Sequence, residues 1–323
     1  MPCAEGHSAI YRGALVKPVK NIPASVHQRL KNAAEISGRT FNDIVQYYAL
    51  ERWLYRLSKS RCAGDFVLKG ALLLVAWRAP VLRATRDIDL LAKTSNDLDF
   101  IKNIISEICA TEVPEDGLFF DAGSVSTERI AEDADYEGVR AKFQARLATS
   151  RIAMQIDIGF SDVVTPAPVT INYPTLLDDP EPVLRAYNRE TAIAEKFETM
   201  VSLGRLNSRM KDFFDIWLLA ATSEFRGAEL QGAISATFER RGTSLTLAPV
   251  ALSDEFANDP EKQLQWRAFS RRIRPGPAPE HFSDVIKLIR EFLRPVCEAS
   301  KSRSHLDLVW HHLNGWKFRS SDS

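Results

Sequence analysis

The segment from residue 66 to residue 90 constrains the fold more than any other part of the sequence. In it, two short apolar runs joined by a Lys-Gly pair precede two aspartates. The first run predicts a strand and the second, Ala71 to Trp77, predicts a helix, with Gly70 in the turn between them. Asp87 and Asp89 are separated by one isoleucine. Because residues two apart on a strand share a face, both carboxylates are expected to project together.

A pair of carboxylates on one strand face favours a bound cation. Carboxylates about 4 Å apart repel each other by roughly 4 kcal/mol at an effective dielectric constant near 20. Mg²⁺ is the expected ion, because it takes one or two carboxylates together with phosphate oxygens of a substrate. A solvated strand edge is the alternative explanation of an isolated Asp-x-Asp pattern.

The Lys69-Gly70 turn favours phosphate binding. Glycine at a strand-to-helix turn lets a phosphate approach the backbone N–H groups at the start of the helix. A phosphate-binding turn beside a metal-binding pair predicts a nucleoside triphosphate site.

Length and charge set the broad class of the protein. A chain of 323 residues with 45% hydrophobic content predicts about two domains with a substantial core. Lys and Arg together number 42, equal to Asp and Glu, so no overall positive field favours nucleic acid. A polynucleotide partner would therefore need a local basic patch, such as Arg271, Arg272 and Arg274.

Cysteine usage and hydropathy favour a cytoplasmic protein. The four cysteines lack C-x-x-C spacing, which favours reduced thiols and argues against zinc. The longest apolar run is far shorter than the ~20 residues needed to span a bilayer, and no secretion signal opens the sequence, so no membrane partner is expected.

The pattern of helices, strands and prolines predicts four parts. These are an N-terminal helical segment (1–62), a mixed-sheet domain (63–185), a helical domain (186–299) and a C-terminal tail (300–323). Prolines crowd residues 166–182 and predict a linker between the sheet domain and the helical domain.

A third acidic candidate lies in a later strand. Asp157 alternates with aliphatic residues within positions 151–162. A lone carboxylate in such a strand is costly to bury unless it is paired or metal-bound. Asp157 is therefore a candidate third metal ligand, the alternative being an exposed aspartate on an amphipathic strand.

Residues 66–90 resemble the first motif of the AbiEii/AbiGii toxin family of nucleotidyltransferase-like proteins. That motif is a strand, a Lys-Gly-Gly or Gly-Ser turn, a helix and then Arg-x-Ser/Thr-x-Asp-x-Asp, and it is met here by Arg83, Thr85, Asp87 and Asp89. Ala71 departs from it, because the family usually has Gly or Ser there, so any hydroxyl contact to phosphate is lost while backbone contacts remain.

Residues 192–219 are similar to the second signature of the same family, Glu-Lys followed by Arg-x-x-Arg/Lys-Asp-x-x-Asp. The matching residues are Glu195, Lys196, Arg205, Arg209, Lys211, Asp212 and Asp215. The resemblance places Lys196 and Asp212 in the active site and gives Asp215 a helix-orienting role. A lysine there would stabilise developing phosphate charge, and Asp212 would orient or deprotonate a hydroxyl. Solvated helix faces are the alternative for both residues.

The resemblance implies an α+β fold: a nucleotidyltransferase (polymerase-beta-like) mixed sheet flanked by helices, followed by a helical C-terminal domain. It implies Mg²⁺-dependent transfer of a nucleoside monophosphate from an NTP to an acceptor hydroxyl, with the 3′ end of tRNA as the leading acceptor. The protein would be the toxin of a toxin–antitoxin or phage-defence system, with an antitoxin encoded nearby.

The residue roles implied in this way fall into three sets. The catalytic set is Asp87, Asp89, Lys196 and Asp212. The nucleotide-binding set is Lys69, Gly70, Ala71, Arg83 and Thr85. The metal-binding set is Asp87, Asp89 and Asp157. Two alternatives stay open: transfer to a protein side chain, and a non-catalytic module that binds a nucleotide or an antitoxin.

Overall fold

The computed structural model describes residues 21–79, 85–133, 136–273 and 278–318. The elements of its first half are α1 (Ile22–Ser37), α2 (Phe41–Lys59), a 3-10 turn (Ala63–Asp65), β1 (Phe66–Lys69), α3 (Leu72–Ala76), β2 (Asp87–Ala92), α4 (Leu98–Ala110), β3 (Leu118–Asp133), β4 (Tyr136–Leu147), β5 (Ser150–Gly159), β6 (Val169–Asn172) and β7 (Val183–Ala186).

The second half is mainly helical. Its elements are α5 (Arg189–Leu203), a 3-10 turn (Gly204–Leu206), α6 (Met210–Thr222), β8 (Phe225–Arg226), α7 (Gly227–Arg240), a 3-10 turn (Val250–Leu252), α8 (Asp254–Asn258), α9 (Pro260–Arg272), α10 (Phe282–Ser302), β9 (Leu308–His311) and β10 (Gly315–Phe318). Among the described residues, no helix has both the length and the apolar character that a bilayer crossing requires.

The first half is built on a seven-stranded mixed sheet with the strand order β3-β4-β5-β2-β1-β7-β6. The β2/β5 and β1/β7 pairs are parallel, and the other neighbouring pairs are antiparallel. A mixed sheet flanked by helices and followed by a helical half confirms the predicted fold class. The parallel β2/β5 pair brings two distant acidic strands side by side.

Helix α2 covers one face of this sheet. Thr40 begins the helix, since its hydroxyl accepts a hydrogen bond from the Asp43 backbone N–H at 3.2 Å. Trp53 is fully buried and packs near Phe143 of β4, with ring centroids 6.2 Å apart. Ile156 of β5 is fully buried within the same core. Because the apolar side chains occupy this face, the alternate, polar side chains of β2, β4 and β5 point to the opposite one.

The proline-rich segment does not form a linker. Strands β6 and β7 pair within it, so both belong to the main sheet. Residues between them are bonded to α2: the Leu176 backbone N–H donates to Glu51 Oε2 at 2.8 Å, and Arg52 Nη1 donates to the Pro180 carbonyl at 2.9 Å. Proline lacks an N–H but keeps its carbonyl, so a proline-rich loop can still be held in place by hydrogen bonds.

The predicted C-terminal tail contributes to the second half of the structure. Its strands β9 and β10 form a three-stranded antiparallel sheet with β8. Trp310 is buried, and its indole N–H donates to the Ala220 carbonyl of α6 at 2.7 Å. Trp316 stacks on Phe292 of α10 with ring centroids 5.9 Å apart. Residues 300–318 therefore complete the helical core.

Candidate active site

A cavity of about 610 Å³ lies between the polar face of the sheet and the helical half. Most of the predicted site residues line it. They are Lys69, Gly70, Ala71, Thr85, Asp87, Asp89, Asp157, Lys196 and Asp212. Arg83 lies outside the described residues. Two segments more than one hundred positions apart in the sequence are thus brought to one cavity.

Three carboxylates occupy the sheet wall of this cavity. Asp89 of β2 is in register with Asp157 of β5, and Asp87 is in register with Gln155. Ile88, between the two aspartates, is fully buried on the opposite face. Neighbouring strand residues in register point the same way, so Asp87, Asp89 and Asp157 share one face.

Asp87 experiences both repulsive and attractive charges on this wall. Burial raises the pKa of Asp87, and the negative charge of Asp157 raises it further. The positive charges of Arg140 and Lys211 act in the opposite direction. A divalent cation placed here would relieve the same repulsion.

Asp157 is paired with arginine. Arg140 of β4 donates from Nε to Oδ1 and from Nη2 to Oδ2 of Asp157, both at 2.8 Å. Both oxygens of Asp157 therefore accept hydrogen bonds, but a carboxylate has about four lone-pair positions, so Asp157 can pair with Arg140 and still take the predicted role of third metal ligand. The donor set that fits Mg²⁺ here is the pair of hard carboxylate ligands Asp87 and Asp89. Within the described ranges, no cluster of three or more His, Cys, Asp or Glu side chains has the spacing of a metal site.

Gly70 lies directly against Asp89. Its φ is +77°, and a Cβ built there would stand 1.9 Å from Asp89 Oδ2. The close approach requires glycine for two reasons, the left-handed backbone and the space the carboxylate occupies. The turn and the acidic strand therefore form one unit.

Replacing Gly70 with alanine should disturb both the fold and the site. An alanine in left-handed backbone costs about 1–2 kcal/mol. We expect Gly70→Ala to lose more stability than this, because Asp89 must also move. Gly38→Ala is the matched control, since Gly38 has a φ of +67° and a Cβ added there would meet nothing within 4 Å. Denaturant unfolding of the two variants checks this, and equal losses would contradict the close contact.

Lys69 is held in a buried ionic network. Its Nζ lies 2.8 Å from Asp162 Oδ2, and Arg241 Nη2 lies 2.9 Å from Asp162 Oδ1. Arg241 also contacts Glu198 at 2.8 Å. Burial alone would raise the pKa of Asp162, but Lys69 and Arg241 hold it below its ordinary range. The Lys69 ion pair therefore ties the turn at Gly70 to Asp162, which follows β5.

Glu195 is a further titratable group of the cavity. Burial raises the pKa of Glu195 to about 7. The Tyr187 hydroxyl donates a hydrogen bond to its Oε1 at 2.8 Å. Lys69 and Arg241 favour the ionised form, whereas Asp162 disfavours it. The carboxyl group therefore changes its charge near neutral pH.

This raised pKa predicts a dependence of stability on pH. The folded state binds the Glu195 proton more tightly than the unfolded chain, whose ordinary value is 4.5. Stability from this group is therefore fully present below pH 4.5 and is lost as the pH rises to about 7. Glu195→Gln should remove this loss, so the variant should gain in melting temperature relative to the wild type as the pH rises through that window. If the melting temperatures of the variant and the wild type differ by the same amount at every pH in the window, the raised pKa of Glu195 is refuted.

Lys196 and Asp212 face the sheet from the helical half. Lys196 Nζ, on α5, lies 2.8 Å from Asp212 Oδ1 and 2.9 Å from Asp215 Oδ2, both on α6. Arg209 Nε lies 2.6 Å from Asp212 Oδ2. Burial alone would raise the pKa of Asp212, but Lys196 and Arg209 hold it below its ordinary range. Both oxygens of Asp212 are held by these two cations, an arrangement that favours the orienting role for Asp212.

Several residues of the cavity escaped sequence reasoning. These are Arg140, Tyr187, Glu195 in its titrating role, and Arg241. Asp162, which pairs with Lys69 and Arg241 of the lining, escaped it as well. For Arg140 a signal existed, because the tight turn between Leu147 and Ser150 sets a register in which Arg140 lies opposite Asp157. No local pattern links Asp162 to Lys69 or Arg241, since those contacts join residues 93 and 79 positions apart.

Comparison with known proteins identifies a family for this chain. The profile of the family described as nucleotidyl transferase AbiEii toxin, type IV toxin–antitoxin system, matches residues 52–288. No curated protein matches the sequence.

Two solved structures resemble the fold at low sequence identity. A candidate nucleotidyltransferase from H. pylori is 13% identical, with a TM-score of 0.47, covering 87% of this chain and 98% of its own. JHP933 from Helicobacter pylori is 14% identical, with a TM-score of 0.43, covering 79% of this chain and 92% of its own.

The family match includes both β2, with its paired aspartates, and α5–α6, with Lys196 and Asp212. The chain belongs to the AbiEii nucleotidyl transferase toxin family of type IV toxin–antitoxin systems.

Proposed function

We propose that this nucleotidyltransferase transfers a nucleoside monophosphate from an NTP to an RNA 3′ hydroxyl in a Mg²⁺-dependent reaction, with tRNA as the acceptor. The 3′ oxygen forms a bond to the α-phosphorus while the bond to the β-phosphate breaks, and pyrophosphate leaves. The observation that carries the proposal is the placement of Asp87 and Asp89 in one cavity with Lys196 and Asp212. Acidic ligands and a positioned lysine around one cavity match the needs of phosphoryl transfer, where catalysis is mainly positioning and charge stabilisation.

Asp87 and Asp89 would hold the Mg²⁺ ion. When bound, the ion would neutralise triphosphate charge and act as a Lewis acid at the reacting phosphate. Asp157 lies beside the pair, held by Arg140. We propose it as the third ligand, because its carboxylate can accept from Arg140 and still offer a lone pair to the ion.

The triphosphate would lie along the Gly70 turn. Gly70 and Ala71 offer backbone at the start of α3, Thr85 offers a hydroxyl, and Arg83 is proposed as a further contact by family resemblance. Lys69 positions the turn through Asp162. These roles form the proposed nucleotide-binding set.

Lys196 would stabilise the charge that develops on the transferred phosphate. Asp212 and Asp215 together hold its ammonium group within 2.9 Å. Two carboxylate partners fix the direction of this group, which is the preorganisation that charge stabilisation requires. Asp212 therefore acts mainly through Lys196.

The family description supports an antitoxin partner, and we propose a cytoplasmic toxin that acts in phage defence. Transfer to a protein side chain is the rival enzymatic function, and the balance of 42 basic and 42 acidic residues favours neither acceptor. A non-catalytic binding module is disfavoured, because both acidic ligands and the Lys196–Asp212 pair line the same cavity.

Incubation of the purified protein with Mg²⁺, total tRNA and each α-labelled NTP in turn tests the proposal. Label should remain on RNA from at least one NTP, and prior periodate oxidation of the RNA 3′ end should prevent it. A parallel reaction with a protein mixture separates the rival. Label on protein alone would reject RNA as acceptor, and no label on either would support the non-catalytic module.

A further inference from the structure

A second cavity, of about 670 Å³, opens between the start of α6 and the end of α9. We call it the α6–α9 groove, and its principal lining residues are Arg209, Met210, Lys211, Phe269, Arg272 and Ile273. Its volume lies within the range of small-molecule and nucleotide pockets.

The groove adjoins the candidate active site. Arg209 and Lys211 line both cavities. Arg209 also contacts Asp212, the partner of Lys196, at 2.6 Å. Lys211 lies close enough to Asp87 for its positive charge to act on that carboxyl. A ligand in the groove would therefore reach towards the metal-binding wall and the catalytic lysine.

The groove combines an apolar floor with a cationic rim. Met210 and Ile273 are buried, whereas Phe269 is partly exposed. The Phe269 ring is fixed by Phe214 and Trp266, each with ring centroids 5.6 Å away. On the rim, Arg209, Lys211 and Arg272 are exposed.

This combination fits single-stranded nucleic acid better than a peptide. Single-stranded sites pair aromatic rings, on which bases stack, with cations that follow the phosphates. A fixed aromatic ring flanked by cations supplies both contacts for one nucleotide. A peptide acceptor has no regular series of negative charges for the rim.

We propose that the α6–α9 groove binds the single-stranded 3′ end of the RNA acceptor. A base stacks on Phe269, flanking phosphates contact Arg209, Lys211 and Arg272, and the terminal hydroxyl extends into the catalytic cavity. This assignment rests on the proposed function, in which the acceptor is RNA. Of the other arginines of the predicted basic patch, Arg271 is exposed on α9 and Arg274 lies outside the described residues.

Binding of a short, 5′-fluorescent single-stranded RNA with a free 3′ hydroxyl tests the groove. Fluorescence anisotropy is measured across a salt series for the wild type, Phe269→Leu, Phe269→Tyr and Arg272→Gln. Arg267→Gln is the matched control, because Arg267 is exposed on the same helix but does not line the groove.

We expect Phe269→Leu to weaken RNA binding about 10-fold or more, as loss of one stacked base should, and Phe269→Tyr to restore most of it. Arg272→Gln should lower the slope of log affinity against log salt by about 0.7, the value of one phosphate contact on a single strand. Arg267→Gln should match the wild type. Arg272→Gln alters an exposed side chain, so it tests the groove even if Phe269→Leu proves unstable.

Two results overturn the proposal and are distinguishable. If Arg272→Gln and Phe269→Leu both bind RNA as tightly as the wild type does, the groove is rejected and RNA remains the acceptor. Absence of RNA binding by the wild type, with nucleotide transfer to protein, rejects the RNA acceptor and the groove together.

Discussion

Asp87→Asn and Asp89→Asn should each reduce nucleotidyl transfer by at least about 10³-fold, because each removes a charged ligand of the metal that stabilises the triphosphate. Asparagine keeps the size of the side chain. Asp87→Asn also removes a carboxyl whose pKa is raised by burial and by Asp157, so the folded state should lose little stability. Transfer rates and melting temperatures measured together separate loss of chemistry from loss of fold.

Asp99→Asn serves as the control for this pair. Asp99 is exposed in the first turn of α4 and lies outside the cavity. The control should keep the wild-type rate. Full turnover by folded Asp87→Asn or Asp89→Asn with Mg²⁺ present would refute the metal assignment.

Lys196→Ala should lower the rate on the order of 10²- to 10³-fold, the usual cost of removing one preorganised donor to transition-state charge. Lys196→Arg should recover only part of the rate, because a planar guanidinium does not reproduce the position of an ammonium group. Pre-steady-state transfer with saturating NTP measures the chemical step. The loss should fall mainly on kcat.

Lys196 also contributes to the fold, so stability must be measured beside rate. Its removal leaves Asp215 and Asp212 buried with less compensating charge, which should lower the melting temperature. Lys142→Ala is the control, since Lys142 forms an ion pair with Glu128 at 2.6 Å on the exposed part of the sheet. A wild-type rate in folded Lys196→Ala would show that this lysine has a structural role and no role in catalysis.

The sequence predicted the acidic strand well because its signal is local. Alternation around Asp87 and Asp89 determines which side chains enter the core, and the structure has Ile88 and Leu90 fully buried. The glycine turn was also predicted from local chemistry. Its contact with Asp89 was not, since the antiparallel pairing of β1 with β2 is tertiary.

Long-range contacts explain what the sequence could not show. Lys69 was expected at the phosphate, yet its ammonium group contacts Asp162, which follows a strand elsewhere in the sheet. Asp212 was open to a role as base or as orienting group, and its contacts with Lys196 and Arg209, which favour the orienting role, appear only in the folded structure. Such pairings depend on how sheet and helices pack, not on sequence spacing.

The extent of the second half was also hidden from sequence patterns. Strand β8 contains two residues, Phe225 and Arg226, too few for any periodicity. Its pairing with β9 nevertheless brings Trp310 into the core.

The central claim is that Asp87 and Asp89 bind a divalent cation together with the triphosphate. Its most direct test is Mn²⁺ titration, followed by electron paramagnetic resonance, with the α,β-methylene analogue of each of the four ribonucleoside triphosphates. We predict that the wild type binds Mn²⁺ with at least one analogue and that Asp87→Asn and Asp89→Asn abolish this binding. Analogue binding that is independent of Mn²⁺ and unchanged by both substitutions would contradict the claim.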